Sequence, residues 1–246
     1  MKGSSHTKQR LDRLLVERGL TDTGEKAKRL ILAGEVLVNG QKRDKPGESI
    51  SLDSRVELIG KLPYVSRGGL KLEAALKHFA IDVSGKICLD VGASTGGFTD
   101  CLLQRRAARV HAIDVGTGQL DWKLRNDPRV IVRERLNARY LTFDDIGELV
   151  DLAVCDVSFI SVTMLLPRIV PLLRDAGEMV ILVKPQFEAG RGQVGKGGIL
   201  RDPELRRAVS AKVEDIMKGL GFETDMIECP VPGAEGNREF LLHARS

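Results

Sequence analysis

Residues Lys86–Leu103 read KICLDVGASTGGFTDCLL, the order of residue types that makes a strand, a glycine-rich turn and a helix. Ile87, Leu89 and Val91 alternate with shorter residues as a buried strand requires, and Phe98, Cys101 and Leu102 recur at the spacing of one helix face. A turn so placed sets backbone N–H groups and the positive end of a helix at the C-terminal edge of a sheet, where open α/β folds bind ligands. Two phosphate-binding readings fail on particular residues. A P-loop needs a lysine where Phe98 stands, although Gly92 and Gly97 have its spacing and Thr99 its hydroxyl. A dinucleotide fingerprint through Gly92 and Gly97 needs a glycine where Ser94 stands. The acid ahead of the turn, in Asp90-Val91-Gly92, suits a ligand with an amino-acid end: Asp90 can face an ammonium and the turn amides a carboxylate. S-adenosylmethionine has that end. A ribose calls for a second acid roughly 20 residues on, and the strand pattern Arg109-Val-His-Ala-Ile-Asp114 ends in one.

The chain has 246 residues, 42% of them apolar, enough for one large or two modest domains with a hydrophobic core. There is no run of 18 apolar residues, and the first residues lead into charge rather than an apolar stretch, so neither a membrane span nor a signal peptide is expected. The expected location is cytoplasmic. Cys88, Cys101, Cys155 and Cys229 are widely spaced within apolar surroundings, as buried reduced thiols are, and His6, His78, His111 and His243 are scattered. No metal site is implied. Residues 1–79 hold 16 Lys and Arg against 10 Asp and Glu, whereas residues 80–246 hold 22 against 24. The basic character lies at the front, as in a nucleic-acid contact.

Residues 1–60 read as a separate small α+β unit. Leu11, Leu14 and Leu15 form one helical stripe ending at Gly19, and Thr23 opens a second through Ala27, Leu30 and Ile31, ending at Gly34. Glu35-Val-Leu-Val-Asn39-Gly40 predicts a hairpin, and Ser49 to Ile59 supplies further strand alternation. This order resembles the αL-type RNA-binding module of a small-subunit ribosomal protein and of pseudouridine synthases. The resemblance implies RNA phosphate contacts from Arg10 and Arg13 on the first helix and Lys26, Lys28 and Arg29 on the second.

Residues 61–67, KLPYVSR, read as a linker, and Arg67 at its end is a further cation expected to contact RNA. From residue 68 onward a helical pattern carrying Lys71 precedes the opening stretch. Further strands are expected at Arg129–Val132, Leu149–Cys155, Met179–Val183, Glu223–Glu228 and Glu239–His243, with helices at Val162–Leu173 and Pro203–Leu220. Such alternation predicts a parallel sheet covered by helices on both faces. The segment Glu188–Gly198, with five glycines, reads as a loop beside the site. Asp156 and Lys184 each follow an apolar run, and Glu239 adjoins the last one, so all three fall where buried backbone meets the ligand edge. Burial and a nearby second cation both lower a lysine's pKa from roughly 10.4, which makes a neutral amine available to accept a hydroxyl proton.

Lys71, Asp156, Lys184 and Glu239, arranged in that order around DVGASTGGF, resemble the Lys-Asp-Lys-Glu tetrad of FtsJ-like ribose 2′-O-methyltransferases. With the strings VSRGGLKL, DVSFIS and VKPQFE and the module in front, the chain is similar over nearly its whole length to the TlyA family of ribosomal RNA methyltransferases, also labelled hemolysin A. The family implies a Rossmann-like seven-stranded methyltransferase sheet with one antiparallel strand, S-adenosylmethionine as donor and cytidine 2′-hydroxyls of ribosomal RNA as acceptors. The partners implied are ribosomal subunits or whole ribosomes. By position, Lys184 would be the base, Lys71 and Asp156 its tuning neighbours, and Glu239 the end of the network. Asp90 and Gly92 would hold the methionine end of the donor, Asp114 its ribose and Asn137 its adenine, and Ser94, Gly96, Gly97, Phe98 and Asp156 are expected to bind the donor as well. A non-enzymatic RNA-binding or ribosome-assembly factor and a hemolysin are the alternative readings.

Overall fold

The computed structural model describes residues 8–58, 63–190, 192–195, 197–233 and 236–246. The chain divides into two units, Met1–Leu62 and Pro63–Ser246. The first contains β1 (Lys8–Arg10), α1 (Leu11–Glu17), α2 (Gly24–Leu32), β2 (Val36–Val38), β3 (Gln41–Arg43), β4 (Ser49–Ser51) and β5 (Val56–Leu58). Leu11, Leu14 and Leu15 are buried with Ala27, Ile31, Val36 and Val38. Thr23 caps α2, its hydroxyl oxygen accepting from the Lys26 N–H at 3.2 Å. Asn39 and Gly40 both have positive φ, 51° and 77°, as a two-residue hairpin between β2 and β3 requires.

Two expectations for this unit change. Ser49–Ser51 and Val56–Leu58 are separate strands that pair with different partners, β1 and β2, because a turn at Leu52–Arg55 interrupts them; Ile59 lies outside the described residues. Strand β1, three polar residues long, has no alternation to reveal it. The proposed linker also differs. Lys61 and Leu62 lie outside the described residues, whereas Pro63–Arg67 belongs to the second unit. Tyr64 is buried with Leu72 and Cys101, the Val65 N–H donates to Asp100 at 2.8 Å, and Gln104 donates to the Pro63 carbonyl at 2.7 Å. An aromatic ring with this much burial anchors the segment.

The second unit runs α3 (Gly68–His78), β6 (Ile87–Val91), α4 (Gly97–Gln104), β7 (Arg109–Ile113), α5 (Trp122–Arg125), β8 (Val130–Arg133), α6 (Phe143–Ile146), β9 (Val150–Cys155), α7 (Leu166–Ile169), β10 (Leu173–Val183), α8 (Pro185–Glu188), α9 (Pro203–Gly219), β11 (Glu223–Glu228) and β12 (Phe240–Arg245). Its seven strands are ordered β11-β12-β10-β9-β6-β7-β8, and β12 is antiparallel to both neighbours. The twofold period of the strands divides the core. Cys88, Val110, Leu152 and Val180 meet the α3 and α4 side, while Leu89, Val91, Ala153 and Ile181 meet Leu166, Ile169 and Val213 on the other. Asp202 caps α9 as its sequence indicates, accepting from Glu204 and Leu205 ahead of Pro203 at the first helical position. The helix expected over Val162–Leu173 is instead three short turns, Val162–Met164, α7 and Val170–Leu172. Pro167 and Pro171 each remove an N–H and crowd the preceding turn, so no continuous ladder can form.

The chain leaves β6 toward β7 and β8, then returns to the opposite side of β6 as β9. This reversal opens a crevice beyond the C-terminal ends of β6 and β9. Because β12 is antiparallel and pairs Phe240 with Val183, the residue before it stands on the same edge as Lys184. No helix among the described residues is long and apolar enough to cross a membrane.

Candidate active site

The turn after β6 is built by three left-handed residues, Gly92, Ser94 and Gly96, and a second strand's carboxylate. Gly92 has φ 85°, and a Cβ there would stand 2.6 Å from the Asp156 carbonyl, so only glycine lets the ends of β6 and β9 approach. Ser94 has φ 49° and donates its N–H to Asp114 Oδ2 at 2.8 Å. The other oxygen, Asp114 Oδ1, accepts from the Gly116 N–H at 2.7 Å. Asp114 therefore stitches the β6 turn to the β7 loop. Each carboxylate oxygen retains a lone pair, and Asp114 lines a cavity of about 360 Å³ with Gly92, Ser94, Leu136 and Asn137. Asn137 caps the turn at Ala138–Tyr140, accepting from the Arg139 N–H at 3.1 Å.

A second cavity, of about 580 Å³, adjoins the first at Gly92, Ser94, Asp156, Ser158 and Phe159. All four tetrad residues line it, together with Arg67, Gly97 and Phe98. They form two ion pairs: Lys71 Nζ to Glu239 Oε2 at 2.5 Å, and Lys184 Nζ to Asp156 Oδ1 at 2.6 Å. Lys71, Lys184 and Glu239 are buried, and Asp156 is partly exposed. The sequence reading put Lys71 beside Lys184 as its tuning neighbour. The partner of Lys71 is instead Glu239, and Lys184 has a carboxylate and the Ser158 hydroxyl, at 2.8 Å. Gly233 has no Cβ because the Glu239 carboxyl fills that space. Nothing in its sequence context marks it.

Two expected donor contacts sit elsewhere. Asp90 is fully buried beneath the turn and lines neither cavity; its Oδ2 accepts from the Thr99 hydroxyl at 2.6 Å, and its Oδ1 has no partner. Burial pushes its carboxyl up to about 7, against the opposing hydrogen bonds from Thr99. Asp90 thus ties β6 to α4 and lies behind the amides rather than facing a ligand. Gly96, φ 95°, lines neither cavity, since Leu120 and Leu124 occupy the space of its missing side chain. Gly97 makes room for Ser66 and for the backbone of Gly68 and Gly69, and Phe98 is core-packed with one edge on the cavity.

S-adenosylmethionine fits this pair of cavities by residue type. Asp114 offers acceptors for ribose hydroxyls, Asn137 borders the outer part, and the Gly92–Ser94 turn stands at the junction where the amino-acid end would lie. In the first unit, Arg10, Arg13 and Lys28 border one groove between α1 and α2. Asp12 holds the Arg10 guanidinium at 2.7 and 3.1 Å, and Lys26 pairs with Asp22 at 2.9 Å. Arg13, Lys28 and Arg29 are exposed, with Arg29 away from that groove.

Comparison with known proteins gives the same division of the chain. Residues 64–246 match the FtsJ-like methyltransferase family and residues 9–56 the S4 domain. The chain is 52% identical over 245 residues to a putative rRNA methyltransferase, YqxC, of Bacillus subtilis, covering 96% of this chain and 85% of that protein. It is 48% identical over 240 residues to the 16S/23S rRNA (cytidine-2′-O)-methyltransferase TlyA of Mycobacterium tuberculosis, covering 96% and 90%. The structure of a putative hemolysin from Streptococcus thermophilus superposes with a TM-score of 0.76 at 46% identity, over 98% of this chain and 90% of that one. With the tetrad gathered at the switch point of a seven-stranded sheet and an S4 domain in front, the chain belongs to the FtsJ-like methyltransferases, in the group that includes TlyA.

Proposed function

We propose that the chain uses S-adenosylmethionine to methylate a ribose 2′-hydroxyl, that of a cytidine, in ribosomal RNA presented by ribosomal subunits or whole ribosomes in the cytoplasm. Residues 68–246 would carry the chemistry and residues 1–60 the RNA contact, with Arg67 on the wall of the catalytic cavity. The observation that carries the reading is Lys184, whose buried amine stands beside Asp156 and Ser158 where the two cavities join. The nature of the RNA and of its target nucleotide is supported by the name of a relative 48% identical over 96% of this chain.

When bound, the donor supplies a methyl carbon on a sulfonium whose sulfur keeps the electron pair as the carbon–sulfur bond breaks. A ribose hydroxyl is a poor nucleophile until its proton leaves. Lys184, in its free-amine form, takes that proton while the 2′-oxygen forms the new bond to carbon. Asp156 holds the resulting ammonium at ion-pair distance, and Glu239 neutralises Lys71 in the same cavity, so the cavity presents fixed charges to the reacting oxygen. Alignment of oxygen, carbon and sulfur supplies much of the acceleration.

The product decides the reading. Digestion and mass spectrometry of RNA treated with this protein should find a 2′-O-methylated cytidine whose 3′ linkage survives alkali, because the attacking oxygen is blocked. Lys184→Ala should abolish that mark and leave donor binding nearly intact. Cys155→Ser should keep it, since Cys155 is fully buried and burial pushes its thiol up, away from the thiolate needed for base methylation. A methyl group on the base, or methylation of an RNA with a 2′-deoxy target, would overturn the proposal.

A further inference from the structure

The loop that follows β9 brings two of its groups to one nitrogen. Lys184 Nζ lies 2.6 Å from Asp156 Oδ1 and donates to Ser158 Oγ at 2.8 Å. Both ends of this loop are fastened. At its start the Asp156 N–H donates to the Val91 carbonyl at 3.0 Å. At its end Glu188 accepts from the Ser161 hydroxyl and, at 2.9 Å, from the Val162 N–H. Glu188 closes α8, the single turn that begins directly after Lys184. The loop that carries Ser158 is therefore tied at its far end to the same short helix that begins directly after Lys184.

We infer that Ser158 is a positioning residue for proton transfer, one that fixes the direction in which the Lys184 amine presents its lone pair. The inference rests on the methyl-transfer reading above. An ammonium carries three hydrogens. Two directions from Nζ are taken by Asp156 and Ser158, so the third is the one that can meet a substrate hydroxyl. When the third hydrogen is lost, the lone pair occupies that direction, and the two remaining N–H groups keep their partners. Without Ser158 a single anchor is left, rotation about the Cε–Nζ bond becomes free, and the lone pair spends most of its time aimed elsewhere. Asp156 alone cannot prevent this, because one contact fixes a distance and leaves the rotation open. Ser158 also borders both cavities, the place where the hydroxyl and the methyl carbon must meet. Its side chain is exposed and belongs to none of the buried apolar clusters, so substitution leaves the core intact.

The test compares the full-length wild type with Ser158→Ala and Ser158→Thr, using ribosomal subunits that lack the mark and S-adenosylmethionine, with donor affinity measured by calorimetry. Ser158→Ala should lower kcat by about tenfold to a hundredfold, a part of the roughly 10²–10⁴-fold that a positioned acid–base group itself contributes. KM for both substrates and the donor Kd should stay within about twofold, as for an interaction made only in the transition state. Ser158→Thr, which keeps the hydroxyl, should recover most of kcat. Unchanged kcat in Ser158→Ala, a loss confined to KM or donor Kd, or a threonine variant no better than alanine would each overturn the positioning role. The wild-type reaction separates this failure from the broader one: if wild type leaves no 2′-O-methyl group, the methyl-transfer reading falls with it.

Discussion

Asp114 joins two loops and borders a cavity, and a substitution there reports on both. Its oxygens accept the Ser94 and Gly116 N–H groups at 2.8 and 2.7 Å while it borders the cavity expected to take the donor's ribose. Asp114→Ala should weaken S-adenosylmethionine binding by about 1.5–3 kcal/mol, the scale of a lost charge-assisted hydrogen bond, with RNA binding retained. Equal donor affinity in wild type and Asp114→Ala, by calorimetry, would leave Asp114 a purely structural stitch. At this scale the sequence was legible wherever a charge follows an apolar run, because that pattern marks a strand end: Asp114, Asp156 and Lys184 were found this way and all border the cavities. Pairing was not legible. Lys71 and Glu239 are 168 positions apart, and their meeting depends on the register of an antiparallel last strand, which no local pattern encodes. Asp90 was misjudged for a similar reason, since a strand's alternation gives the face of a residue but not whether a helix covers it.

Between elements, the joint of α3 with α4 carries the geometry of Lys71. A Cβ on Gly97 would come within 2.8 Å of the Gly69 N–H nitrogen and 3.1 Å of Gly68 Cα, and would also strike Ser66 Oγ. Gly97→Ala should therefore force the N-terminal turn of α3 outward, cost about 1–3 kcal/mol as overpacking does, and lower kcat through Lys71. A thermal melt and a kinetic assay check the two effects, and an alanine variant with wild-type stability would show that the joint has slack. The tie from β6 to α4 through Asp90 gives a pH dependence. Its carboxyl, at about 7 in the fold against an ordinary value near 3.9, keeps its proton in the folded state over a range where the unfolded chain has lost it. The stability this provides is complete below about pH 4 and is lost as the pH rises through about 7. Asp90→Asn should flatten that decline. Melting temperatures at pH 5 and pH 8 that fall equally in wild type and variant would remove Asp90 as the cause. Element type was readable where capping residues and period agreed, as at Thr23, Asn39-Gly40 and Asp202-Pro203. It failed at Val162–Leu173, where Pro167 and Pro171 interrupt the helical spacing, and at β1, whose three residues carry no period.

Over the whole chain, charge and chemistry are divided between two lengths of sequence, and the division can be tested by removing one. The first 79 residues hold an excess of six cations over anions, whereas the remainder holds an excess of two anions over cations. Arg13, Lys28 and Arg29 are exposed on α1 and α2, free to meet phosphates, while Asp12 already occupies Arg10. Each phosphate neutralised releases condensed counterions, so affinity falls with salt in proportion to the number of such contacts. Deleting residues 1–60 should raise the RNA dissociation constant and flatten its slope against the logarithm of salt concentration. Donor affinity should change little, because every residue bordering the two catalytic cavities lies at or beyond Ser66. The fold of the truncated chain is checked by that same donor titration before RNA is added. If the salt slope is unchanged after deletion, the phosphate contacts lie in the catalytic unit instead, where Lys123, Arg133, Arg135 and Arg139 are exposed. Charge-reversing those four in the full chain should then flatten the slope, and if it did not, the electrostatic account of RNA binding would fail for both units.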